Sequence, residues 1–101
     1  MSSRVPDFLH EADMGFTRKE LVRGLENAVV PYTVVASAAN PIQIKLDHRL
    51  VELHTGPDET RVIASMRMPR ISVKLAFYGL TEVEYQAFMN RFKKSLHKGG
   101  G

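Results

Sequence analysis

The 101-residue chain is long enough for one hydrophobic core and too short for two, and with 44% apolar and 25% charged residues it is a globular rather than a disordered composition. It contains no cysteine, which excludes disulfides, thiolate metal sites and cysteine nucleophiles. The net charge of +3 is unevenly spread: residues 1–60 carry six Lys/Arg against nine acids, net −3, and residues 61–101 carry eight against two, net +6. Such a division marks either an anionic partner or two halves that neutralise each other on folding, and the second is the simpler expectation.

Residues 1–15 read as a flexible N-terminal arm, because Ser2, Ser3, Pro6, Asp7, Asp13 and Gly15 interrupt any period. They contain no apolar run of signal-peptide length, and no segment reaches the length of a membrane span, so a cytoplasmic protein without membrane insertion is expected. A domain over 16–98 follows, and residues 99–101 form a flexible glycine tail.

The first helix starts on a capping box, Thr17-x-x-Glu20, with Phe16 and Leu21 placed as a hydrophobic staple. Leu21, Val22, Leu25, Ala28 and Val29 recur at helical spacing, and Pro31 ends the helix. The period then falls to two. Tyr32–Ser37 predicts a short strand, Ile42–Leu46 a half-buried one, and Val51 and Leu53 mark the next. A four-residue loop over 47–50 would set Ile44 opposite Leu53, whereas a two-residue loop at Asp47-His48 would set it opposite Val51. Both keep one apolar face, so the register stays open.

Gly56-Pro57-Asp58-Glu59 predicts a turn. Arg61–Met68 predicts a strand with Val62, Ala64, Met66 and Met68 inward; Pro69-Arg70 predicts a tight connection, and Ile71–Phe77 the most regular strand. Thr81 and Glu84 form a second capping box, stapled by Leu80 and Tyr85. Tyr85, Phe88, Met89, Phe92 and Leu96 make the stripe of a closing helix, with Lys93, Lys94, His97 and Lys98 near its negative end. The expected fold is α+β: a two-layer sandwich of helix, antiparallel four- or five-stranded β-meander and helix, with both helices on one sheet face.

No chemistry-bearing motif stands out. No serine lies in a Gly-x-Ser-x-Gly turn, and neither phosphate-loop glycine pattern occurs. His10, Glu11 and Asp13, the Asp47-His48 pair and His54 lack zinc-ligand spacing, so no metal and no cofactor is expected and the chain is read as non-enzymatic. Two surfaces remain. Thr17, Arg18, Lys19 and Arg23 place cations at a helix N-terminus, against the macrodipole, where free N–H groups would add to an anion site. On the open sheet face, alternation gathers Lys45, His54, Arg67, Lys74 and Tyr78 among polar neighbours, with Ile63 and Ala76 as apolar points. The expected function is a protein-interaction or self-association module (a homodimer, or a complex with an unknown protein) using that face. The alternative is nucleic-acid or phosphate-ligand binding through the basic C-terminal half and the Arg18/Lys19 helix start.

Overall fold

A computed structural model describes residues 5–96. Eight elements follow in chain order: β1 (Phe8–Met14), α1 (Arg18–Ala28), β2 (Thr33–Val35), β3 (Ile42–Leu46), β4 (Arg49–Thr55), β5 (Glu59–Ile63), β6 (Met66–Tyr78) and α2 (Glu82–Ser95). The architecture is the expected α+β sandwich, with six antiparallel strands rather than four or five. Five follow the order β1-β6-β4-β3-β2, and β5 pairs with β6 alone.

Both helices begin as their capping boxes dictate. The Glu20 backbone N–H donates to Thr17 Oγ1 at 3.1 Å while Thr17 N–H donates to Glu20 Oε1 at 2.9 Å; Thr81 and Glu84 repeat the exchange at 3.2 and 2.9 Å. Leu21, Leu25 and Ala28 of α1 and Phe88, Met89 and Phe92 of α2 are buried against Ile42, Ile44, Val51, Leu53, Ile71, Val73, Leu75 and Phe77. One sheet face is therefore covered by both helices. Phe77 lies at its centre, its ring edge-on to Tyr85 (4.8 Å) and to Phe88 (5.2 Å). Gly24 lets the helices approach: a Cβ there would lie 2.9 Å from Leu96 Cδ2.

Three readings from the sequence change. The segment 1–15, expected as a flexible arm, contains β1, which pairs along the whole of its length with β6, from Phe8 opposite Phe77 to Met14 opposite Ile71. The β3–β4 connection is the two-residue one: Leu46 faces Arg49 and Ile44 faces Val51, with Asp47 at φ 55°. Only the first central residue takes positive φ, as in a type II′ turn.

The third change is the largest. Pro69-Arg70 is no connection; β6 runs straight through it for 13 residues. The reversal comes earlier, at Ala64-Ser65, where Ile63 pairs with Met66 and Ala64 takes φ 54°. Backbone geometry explains how a strand tolerates Pro69. Gly56 N–H donates to Ser72 O at 2.9 Å, so even-numbered residues of β6 turn their N–H and C=O toward β4 and β5, and odd-numbered ones toward β1. The pairing of β1 stops at Ile71, so the donor that Pro69 lacks would have met no strand.

Candidate interaction surface

Continuity of β6 fixes what each surface carries. Its odd residues from Ile71 to Phe77 face the helices, and its even residues Ser72, Lys74, Ala76 and Tyr78 face away. Cross-strand register then builds the open face in rows. Leu9, Ala76, Glu52 and Gln43 form one, Glu11, Lys74 and His54 the next, and Tyr78, Leu50, Lys45 and Thr33 a third. On this face a shallow depression of about 480 Å³ is lined by Glu11, Asp13, His54, Ser72 and Lys74 among others.

Of the predicted sheet-face residues, Lys45, His54 and Lys74 share this face, and Tyr78 lies on it but is only 9% exposed. Arg67 does not. Because the strand passes Pro69 without a reset of its alternation, Arg67 lies on the side of Ile71 and Val73, while Ile63, Met66 and Met68 lie on the open side. The cations that remain are interleaved with acids: Lys74 sits between Glu11 and His54, and His54 Nε2 is 3.8 Å from Glu52 Oε1. Alternation also separates His10 from Glu11 and Asp13. His10 packs on the helix side, where burial and then the charge of Lys93 lower its pKa. Among the described residues no group of three or more His, Asp or Glu is arranged to hold a metal ion.

At the start of α1 two groups of the predicted anion site, Thr17 and Arg18, already have partners. Thr17 Oγ1 serves the capping box, and Arg18 N–H donates to Asp58 Oδ1 at 2.7 Å. The Arg18 guanidinium donates from Nε to Thr55 Oγ1 (3.1 Å) and from its terminal nitrogen to the carbonyls of Ser37 (3.4 Å) and Ala39. Arg18 thus fastens the helix start to the end of β4 and to the 36–40 loop, and a carboxylate of the chain itself meets the helix dipole. Lys19 and Arg23 stand exposed beside it.

The feature that sequence reasoning missed is the hairpin arm formed by β5 and residues 66–70 of β6. No helix covers it, and Val62, Ile63, Met66 and Met68 are 62, 53, 61 and 43% exposed. Arg61 and Arg67 flank them, and neither makes a hydrogen bond or ion pair among the described residues. At the arm's base Arg70 donates to Asp13 Oδ2 at 2.7 Å and lies 3.9 Å from Glu59 Oε1; Ser72 Oγ donates to Asp13 Oδ1 at 3.2 Å. The Arg70 and Ser72 hydrogen bonds hold the Asp13 carboxyl below its ordinary pKa. The only local signal for the arm is the β-branched Thr60, Val62 and Ile63, and its turn, Ala64-Ser65, contains neither glycine nor asparagine.

No helix of the described residues is long and apolar enough to cross a membrane. Comparison with known proteins finds no matching family, no matching curated protein and no matching solved structure.

Proposed function

We propose that the chain is a protein-interaction module whose contact surface is the open sheet face continued onto the hairpin arm. The observation that carries this reading is the exposure of three large apolar side chains, Ile63, Met66 and Met68, on the open side of the arm, with Val62 exposed on its other side. A two-stranded ribbon without a covering layer gains little stability of its own. Apolar surface clustered in this way marks a contact site on a soluble protein. The interleaved Glu11, Lys74, His54 and Glu52 suit a protein surface better than a polyanion, which needs a track of one sign.

A photo-crosslinking residue at position 63 or 66, set against one at Val83 on the exposed side of α2, tests the reading in cells making the full chain. Adducts to protein from the arm positions but not from position 83 support it. Equal labelling from both sites would overturn it. Arm adducts destroyed by nuclease would transfer the function to nucleic acid, with Arg61 and Arg67 as the phosphate contacts.

A further inference from the structure

The arm has one geometric property that narrows its partner. One edge of β6 is covered by β5 over Met66–Arg70 and by β4 over Val73–Tyr78; the other edge is covered by β1, over Ile71–Phe77 only. On that second side the arm and the outer edge of β1 form a step, with a recess of about 190 Å³ at its corner lined by Asp13, Gly15, Ile63, Met68, Pro69 and Arg70 among others. A two-fold rotation about an axis normal to the sheet at the arm's base fits two such steps together. Each arm then lies along β1 of the other copy, and the assembly closes at two.

Charge selects the same pairing. With Arg70 and Asp13 counted as the ion pair they make within one chain, the arm keeps Arg61 and Arg67 against Glu59, net +1, and β1 keeps Glu11, net −1. Arm against arm, or β1 against β1, sets like charges together, while arm against β1 sets opposite charges together at both junctions. The apolar groups agree. Leu9 is 54% exposed on the open side of β1, and Ile63, Met66 and Met68 lie on the open side of the arm, the same side of the paired sheets under that rotation.

We infer that the occupant of the arm is a second copy of this chain, in a two-fold dimer in which each arm lies on β1 of its partner. The inference rests on the reading of the arm as a contact surface. Analytical ultracentrifugation of the full chain tests it. The wild-type mass should rise with concentration from 11.4 kDa toward twice that value. Arg61→Glu or Glu11→Lys, each alone, should weaken association by about tenfold or more through like-charge junctions, because Arg61, opposite Met68, shares the open side with Glu11. An equimolar mixture of the two variants should recover association to within about threefold of wild type, because both junctions of the mixed dimer again pair opposite charges. That recovery also shows that both variants fold.

A chain that stays monomeric at every concentration overturns the inference; if the arm still crosslinks to a different protein, the arm remains a contact surface. A dimer indifferent to both charge reversals, or a mixture that fails to recover, places the contact elsewhere and likewise overturns it. So does salt-sensitive binding of a monomer to nucleic acid that Arg61→Glu combined with Arg67→Glu abolishes.

Discussion

The two halves of β6 are one strand with one alternation and two environments. From Ile71 to Tyr78 the strand lies between β1 and β4 under both helices, and Ile71, Val73, Leu75 and Phe77 are no more than 3% exposed. From Met66 to Arg70 it has β5 on one side and no second layer, and its methionines stand in water. The difference shows that an apolar face becomes a core only where another element closes over it. Hydrogen bonding in the sheet does not accomplish this by itself, since both halves are paired.

The largest expected effect contrasts the halves directly. Phe77→Ala removes the ring at the aromatic centre and should cost about 3–5 kcal/mol of unfolding free energy. Met68→Ala, nine residues earlier on the same strand, should cost less than about 0.5 kcal/mol. Denaturant unfolding of dilute protein measures both; equal losses would mean that the arm is packed as the core is. A smaller effect lies at the junction. Arg18→Met keeps the aliphatic stem but removes the donors to Thr55, Ser37 and Ala39, and should lower stability by about 1–3 kcal/mol. Lys19→Met, exposed at the next position, should stay within about 0.5 kcal/mol of wild type.

The smallest effect concerns the tie at the arm's base. The folded-state pKa of Asp13 is depressed, so its contribution is complete above the unfolded carboxylate value and is lost as the pH falls through the folded one. On acidification the amide resonances of Arg70 and Ser72 should shift together, with a midpoint below the ordinary Asp range. Asp13→Asn should abolish that transition and leave the resonances of Leu75 and Phe77 in place.

The helices were legible in the sequence because a capping box states a start in four residues and a stripe of Leu or Phe states a face. Much of the sheet was legible for the same reason, from Ile42, Ile44, Val51 and Leu53. What failed is punctuation. Pro69 has the turn-former's reputation, yet its missing donor costs nothing on an unpaired edge; Ala64 and Ser65 lack that reputation and make the turn. Pro6, Asp7 and Asp13 hid β1, although Phe8, His10, Ala12 and Met14 alternate with Leu9, Glu11 and Asp13. The candidate surface inherited these errors, since a turn misplaced to Pro69-Arg70 resets the alternation and moves Arg67 to the wrong face. Lys45, His54, Lys74 and Tyr78 keep their face because no misread turn separates them from the buried neighbours that set it, Ile44, Leu53, Val73 and Phe77.

Pro69 has a further consequence for how such an arm survives in a crowded cell. A bare strand edge recruits other strands through successive backbone donors and acceptors, the route by which native sheets seed fibrils. Along the β1-facing side of the arm the only N–H from Met66 to Arg70 belongs to Arg67, since the even residues turn theirs to β5 and Pro69 has none. One donor, carried by a cation and followed by a proline, makes a poor template. The arm therefore offers its methionines and arginines to a partner that fits its shape and charge, and withholds the repeating ladder that an unfolded chain would need to grow on it.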